Sequence, residues 1–389
     1  MIGGSRLLVG ALMAALFVDA LLYGLATPTL PARLGGDPAE VGLVFAAYGL
    51  GQLLACPAAG PVVDRWGPRA VLLGAMPILA AASAVYGWVD GAWGIAAARF
   101  LQGAAAAASW TAALSALATL GPVQSRGATL GTAGLATAAG ILLGPPIGGE
   151  LSARLGPAPP FLLAGALALA VALPLRALPA ERPPALRVPY RALLRSPAAR
   201  AALMITLLES TLIGAVEPTT PIELSERLGA SPAAVGWGFA LTTAAWGLGS
   251  PFAGALGDKA GPRAPFGLGL LLCAGAVTIL GAAASPTIAM SSLGLLGLGL
   301  AGLYAAANPL LASASASLAG GTGSAYAAST LIFALGSALG PALGGLAAER
   351  LGFAGATALG AILLLCVGLP YCLTLPPSTD GPQPPRSTP

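Results

Sequence analysis

Ten residues, Gly60-Pro-Val-Val-Asp64-Arg65-Trp66-Gly67-Pro68-Arg69, return as Gly254-Ala-Leu-Gly-Asp258-Lys259-Ala-Gly261-Pro262-Arg263. Glycine, acid, base, glycine, proline and arginine all recur at a constant offset of 194 in a chain of 389 residues. The offset is half the length, so one half of the chain is a diverged copy of the other. Whatever this sequence folds into is built twice.

Both copies sit between long apolar segments. Hydrophobic residues make up 56% of the chain and charged residues 8%, against about 25% charged in a soluble domain. That composition describes a polytopic membrane protein. A spanning helix needs about 20 apolar residues. Twelve such segments can be placed, at 7–31, 40–62, 69–90, 93–119, 127–150, 158–179, 199–222, 232–256, 264–285, 288–313, 323–347 and 352–375. The longest polar stretch, 180–200, carries Glu181, Arg182, Arg187, Arg191, Arg195 and Arg200 and divides six spans from six. The predicted fold class is an all-α membrane protein of two pseudo-symmetric six-helix bundles. These are 1–180 and 199–375, joined by a cytoplasmic linker, 181–198, and followed by a disordered cytoplasmic tail, 376–389.

The same inventory excludes other classes. The net charge of +4 is small, and no basic run alternates with aromatics, so a nucleic-acid partner is not expected. There is no histidine, which removes the commonest metal ligand and general base. Cys56, Cys273, Cys366 and Cys372 lie in or beside apolar segments without metal-ligand spacing. No nucleophile–base pair or phosphate loop suggests an enzyme. Met1 to Leu30 reads as an uncleaved first span rather than a signal peptide. The lone Asn308 precedes proline, so no glycosylation sequon exists. The expected location is a bacterial inner membrane, and the expected state is a monomer.

Orientation follows the Lys/Arg bias. With a cytoplasmic N-terminus, that side holds thirteen basic residues: Arg6, Arg65, Arg69, Arg126, Arg176, Arg182, Arg187, Arg191, Arg195, Arg200, Lys259, Arg263 and Arg386. The other side holds Arg33, Arg154, Arg227 and Arg350. This predicts both termini, and both copies of the opening motif, on the cytoplasmic face.

The duplication extends further. Gly140-Ile-Leu-Leu-Gly144-Pro145-Pro-Ile-Gly148-Gly149 in span five is echoed by Gly336-Ser-Ala-Leu-Gly340-Pro341-Ala-Leu-Gly344-Gly345 in span eleven. In span one, Asp19, Gly24, Pro28 and Pro31 match Glu209, Gly214, Pro218 and Pro221 of span seven at an offset of 190. Two six-span halves of parallel topology joined by a basic loop are the layout of a major facilitator transporter.

Over nearly its whole length the chain resembles the major facilitator superfamily. Gly60 to Arg69 is similar to that family's signature between spans two and three. Arg99-Phe-Leu-Gln102-Gly103 resembles the span-four signature tied to proton coupling. Gly131, Gly140, Gly144, Pro145, Gly148 and Gly149 resemble the span-five signature of drug/proton antiporters. Among antiporters, the stretches Asp19 to Pro31 and Glu217-Pro218-Thr-Thr-Pro221 resemble the vesicular amine transporters and their bacterial multidrug relatives. So do Val41-Gly-Leu-Val-Phe-Ala and Gly323-Ser-Ala-Tyr-Ala. The vesicular carriers have a lysine where Tyr48 stands, and acids in spans ten and eleven where this chain has Tyr304 or its neighbours and Thr330. The bacterial multidrug exporters are therefore the nearer analogy.

Intramembrane charge carries the mechanism, because an ionisable residue there costs at least about 2.5–3.5 kcal/mol and faces a cavity or a partner. Asp19, Arg99, Glu209 and Glu217 qualify. Asp19 lies thirteen residues past Arg6, about 20 Å along a helix. Glu209 is its repeat mate, expected at similar depth. Glu217, eight residues on and before Pro218, fits a break in helix seven. A carboxyl in low dielectric can hold either a proton or a cationic substrate, and competition between the two is the simplest antiport. The bland alternative pairs these acids with a helix terminus or with Arg99, and leaves Arg99 snorkelling to the interface.

Tyr23, Tyr48, Gln52, Trp110, Trp246, Tyr304, Asn308 and Phe333 are the uncharged cavity candidates, with ordinary packing as the alternative. Trp88 and Trp93 read as aromatic belt. Gly140, Gly144 and Gly148, spaced by four, form a groove for a close helix partner, with Pro145 predicting a kink. The resemblance implies that this region, with Gly149, forms a gate; a static tight pair is the alternative. Asp64 is predicted to end helix two, with Arg65 and Arg69 beginning helix three. These residues and Asp258 are expected to form an ionic latch on the cytoplasmic side, rather than topology-setting charge alone. The expected function is proton-coupled export of lipophilic cations, needing no cofactor beyond the proton gradient and no partner beyond the lipid bilayer. The alternative is an uptake symporter for a small nutrient.

Overall fold

The computed structural model describes residues 2–120, 126–179, 190–316 and 321–375, with side chains described for 7–117, 133–179, 193–314 and 327–375. The predicted tail, most of the linker, and the side chains of Arg6, Arg126 and Gly323 to Tyr326 lie outside the described residues.

Ten long helices build the fold: α1 (Ile2–Arg33), α2 (Pro38–Trp88), α3 (Ala92–Leu120), α4 (Arg126–Leu155), α5 (Ala158–Leu175), α7 (Pro197–Ile222), α8 (Pro232–Ala260), α9 (Arg263–Gly281), α10 (Pro286–Ala316) and α11 (Gly321–Thr374). A short α6 (Tyr190–Arg195) precedes α7. Two long helices are broken at one residue. α2 breaks at Gly67 (φ 79°, ψ 155°) and α11 at Gly352 (φ 69°, ψ 167°), a backbone region open to glycine. Counting both arms of each, the described residues form twelve rods, matching the twelve apolar segments. The break at Gly67 corrects one detail: Asp64 does not end its helix, and Arg65 and Trp66 belong to the first rod.

Left-handed glycines repeat with the sequence. Gly35 and Gly229 have φ 68° and 68°, Gly67 and Gly261 have 79° and 74°, and Gly156 and Gly352 have 88° and 69°. The duplication therefore preserves the turns. Seven helices are long and apolar enough to cross a membrane by hydropathy. The long helices outside that set, α3, α4 and α8, carry alanine and glycine where the others carry leucine. Small residues lower hydropathy and let backbones approach.

Buried apolar side chains fall into two clusters. One is drawn from α1 to α5 with Ile222, the other from α6 to α11. Within each half, the repeated glycines press one helix on another. A Cβ on Gly144 of α4 would stand 2.8 Å from Gly24 Cα of α1, and one on Gly340 of α11 would stand 3.0 Å from Gly214 Cα of α7. At Gly148 and Gly344 the obstacles are the Leu25 carbonyl oxygen at 2.7 Å and the Ala215 carbonyl oxygen at 2.6 Å. The next glycine faces the other half. A Cβ on Gly149 would lie 2.8 Å from the Pro232 carbonyl carbon of α8, and one on Gly345 would lie 3.0 Å from Gly42 Cα of α2. So α4 and α11 each touch their own half with one glycine and the opposite half with the next.

These contacts between halves lie at the end that carries the 34–37 and 228–231 turns. At the other end, where the repeated motif lies, Gly60 of α2, Gly134 of α4, and Gly247 and Gly254 of α8 face open space. Among the described residues the close backbone contacts between the halves gather toward the first end, the closed end, and the opposite one is the open end. Two arginines reinforce the closed end. Arg33 donates to the Tyr86 carbonyl and, at 2.5 Å, to the Val89 carbonyl at the end of α2. Arg227, 194 residues on, donates at 2.6 Å to the Ala283 carbonyl at the end of α9. Cations suit helix C-termini, whose last carbonyls lack partners.

Candidate functional site

Where the halves meet, α1, α2, α3 and α7 bring together the most polar buried group among the described residues. Arg99 of α3 is fully buried (0% exposed). Its guanidinium stacks 4.6 Å from the Tyr48 ring centroid, 5.4 Å from Tyr23 and 5.6 Å from Phe45. Nη1 donates to Gln102 Oε1 at 3.2 Å, while Nε and Nη2 have no hydrogen-bond partner. Gln102 Nε2 donates to Ser83 Oγ at 3.0 Å, and Ser83 Oγ to the Leu79 carbonyl at 2.6 Å. Among the described residues no carboxylate forms an ion pair with Arg99. The charge is held by aromatic faces and one amide.

Asp19 of α1 is 7% exposed. Ser109 Oγ of α3 donates to its Oδ2 at 3.3 Å and also lies 3.1 Å from the Ala106 carbonyl; Oδ1 has no partner. Glu217 of α7, 9% exposed, accepts a hydrogen bond from the Tyr23 hydroxyl. That bond joins the two halves, since Tyr23 belongs to the first and Glu217 to the second. Tyr23 lies one helical turn beyond Asp19 and packs on Tyr48, with ring centroids 4.9 Å apart. Gln52, a turn beyond Tyr48 on the same face, has an unpartnered buried Oε1.

Glu209 behaves differently. It is 9% exposed, and among the described residues it makes neither hydrogen bond nor ion pair. Its near neighbour is Cys273 of α9, inside the second half. The expected mate of Asp19 thus stands apart from the group around Arg99. Its surroundings differ as well: Ser109, the partner of Asp19, has Leu303 as its counterpart 194 residues on. Tyr304 and Asn308 also lie in the second half. The Tyr304 ring packs edge-on against Trp246 with centroids 5.1 Å apart, and Asn308 Nδ2 donates to the Tyr304 carbonyl at 3.0 Å.

The predicted break at Pro218 is absent. α7 runs helical through Pro218 and Pro221, as α1 does through Pro28 and Pro31, and the irregularity comes later as a π-turn, Glu223–Arg227. After each first proline a threonine hydroxyl bonds the carbonyl four residues back: Thr29 to Leu25 and Thr219 to Ala215, both at 3.0 Å. Likewise α4 continues through Pro145 and Pro146 without a non-helical residue. Asp64, Arg65, Arg69 and Asp258 lie at the open end, and among the described residues they form no ion pair.

Tyr23 as the partner of Glu217, and Ser83, Gln102 and Ser109 as supports, are beyond what the sequence reading weighs as charge carriers. One signal marks three of them. Ser83, Gln102 and Ser109 are polar where their counterparts Val277, Leu296 and Leu303 are apolar.

Comparison with known proteins agrees with this geometry. The profile of the Major Facilitator Superfamily matches twice, over residues 7–208 and 201–389. The chain is 27% identical over 357 residues to the human chromaffin granule amine transporter, covering 88% of this chain and 66% of that protein. It is 27% identical over 369 residues to the bovine synaptic vesicular amine transporter, covering 91% and 70%. It thus spans about two thirds of the length of these relatives. A crystal structure of a bacterial homologue of the human lysosomal transporter Spinster, inward-facing and occupied, superposes with a TM-score of 0.79 at 15% identity, over 94% and 95% of the two chains. These are folds and relatives of transporters, not of enzymes. The duplicated six-rod halves, the repeated motif and the profile that matches each half place this multi-pass membrane protein in the Major Facilitator Superfamily.

Proposed function

We propose that the chain is a proton-coupled antiporter that exports lipophilic cations, amine-like compounds among them, by alternating access. The observation that carries this reading is the pair of carboxyls, Asp19 and Glu217, buried beside an unpaired Arg99 where the halves touch. A buried carboxyl with spare hydrogen-bonding capacity can take a proton or a cation. The tyrosine rings that face Arg99 offer a cation–π surface to a substrate. The chromaffin granule and synaptic vesicular transporters that the chain resembles are, by their names, transporters of amines.

In the proposed cycle the end carrying Asp64 and Asp258 is cytoplasmic, as the thirteen-to-four basic bias suggests. The present arrangement is then inward-open. A cation entering from the cytoplasm displaces protons from Asp19 and Glu217. Glu217 leaves Tyr23, the closed end parts, and the motif residues Asp64, Arg65, Arg69 and Asp258 come together as a latch. Gly140, Gly144, Pro145 and Gly148 keep α4 close to α1, and Gly149 lets it lie against α8, as the halves rock. Gln52 and Tyr48 line the cation's path, Tyr304 and Asn308 its opposite wall. Glu209 stands off the direct path, and proton coupling does not depend on it. The proposed location is a bacterial inner membrane with both termini cytoplasmic.

Proteoliposomes with an imposed pH gradient test this. Substrate-dependent proton flux should appear across a panel of lipophilic cations. Its absence across a broad panel, with folded protein in the vesicles, sinks the proposal.

A further inference from the structure

We propose that a groove between α9 and the second arm of α11, at the open end of the molecule, binds an anionic phospholipid. The groove has a volume of about 650 Å³ and is lined by Arg263, Ala264, Gly267, Leu369 and Cys372 among others. Its outer rim is hydrocarbon: Leu369 and Leu373 of α11, which line it, are 39% and 67% exposed. On a membrane protein such an edge faces lipid tails.

The groove exists because two small residues meet. Gly267 has no side chain, and a Cβ there would stand 3.3 Å from Cys372 Sγ. At the equivalent place in the first half, 194 residues earlier, stands Leu73. The second half has therefore opened a space that the first half fills with a leucine side chain.

One charge sits at its mouth. Arg263 closes the second copy of the repeated motif and begins α9, at the level where the membrane helices end. Its carbonyl accepts from Cys372 Sγ at 3.5 Å, and its guanidinium lies beside the same thiol, on the wall of the groove. Among the described residues Arg263 forms no ion pair. Arg200 stands near Tyr371, on the same turn as Cys372, and adds to the positive field. An unpaired, planar cation above a narrow apolar slot matches a phosphate headgroup joined to an acyl chain. A free phosphate would use the cation alone and gain nothing from the slot. This inference does not depend on what the protein carries.

Native mass spectrometry of the full chain tests it. The protein is released from micelles holding phosphatidylglycerol and phosphatidylethanolamine at equal concentration. One phosphatidylglycerol should be retained in preference. Arg263→Gln should cut that retention by about tenfold, the order expected for losing one charge-assisted pair. Gly267→Leu should do so by filling the slot, with Arg263 intact. Thermal melts identify a variant that fails to fold, and the other variant then decides. Equal retention of the two lipids overturns the proposal, as does unchanged retention in the folded variants. Displacement of the lipid by glycerol phosphate at equal concentration also overturns it, in favour of a soluble phosphate site.

Discussion

Around Tyr48 the first half buries Arg99, Gln102 and Ser83; at the same places, 194 residues on, the second half buries Leu293, Leu296 and Val277. The scaffold under both sets is the same. A Cβ on Gly103 would strike the Tyr48 carbonyl, and one on Gly297 would strike the Thr242 carbonyl, its counterpart. Duplication has conserved the places where backbones touch and let the chemistry collect on one side. The second half contributes Glu217 to the shared site and has apolar residues where the first half places Arg99, Gln102 and Ser83. Burying an unpaired guanidinium costs several kcal/mol. The second half keeps the same packing with leucine at that place, which supports the proposed role of Arg99 in transport.

Five substitutions break or sharpen this contrast. Asp19→Asn removes the first half's carboxyl while keeping its shape and its bond from Ser109. Cation transport in proteoliposomes should fall about a hundredfold, close to 3 kcal/mol, with the melting curve unchanged. Undiminished transport by the purified variant removes Asp19 from the mechanism. Arg99→Leu gives the first half the residue of the second. Transport should drop by about tenfold while thermal stability holds or rises, because an unpaired buried charge is lost. A large loss of stability there would mean that Arg99 is structural.

Gly144→Ala and Gly340→Ala probe what the halves share. Each adds a methyl against a backbone, so each should destabilise by about 1–3 kcal/mol in denaturation, and by similar amounts. Markedly unequal losses would contradict equal packing. Glu209→Gln should have the smallest effect, changing transport less than about threefold, about 0.7 kcal/mol. A loss as deep as that of Asp19→Asn would put Glu209 back in the shared site.

Much of this was legible because membrane spans write themselves in hydropathy and duplication in constant offsets. The twelve segments, the motif copies and the glycine faces of spans five and eleven needed only spacing. The acids were visible as misfits in apolar helices. What spacing cannot convey is which misfits meet. Tyr23 and Glu217 are joined across halves, whose approach depends on how α4 and α11 dock on α8 and α2. Glu209 reads as the mate of Asp19, yet its surroundings lack the serine that completes the pair. The proline break failed for another reason. Helix-internal proline is tolerated where neighbouring helices and threonine hydroxyls satisfy the freed backbone. Arg33 and Arg227 count against the charge bias in sequence. In the fold they cap helix ends, a role their 194-residue separation hints at.

Gly148 with Gly149, and Gly344 with Gly345, give α4 and α11 smooth flanks on two sides. Interlocked side chains act as cogs: sliding one helix past another lifts each knob from its hole. Glycine against bare backbone has no cogs to disengage. Each of these two helices can therefore serve as a plain bearing, held close by contact area yet offering little friction to the half that turns on it.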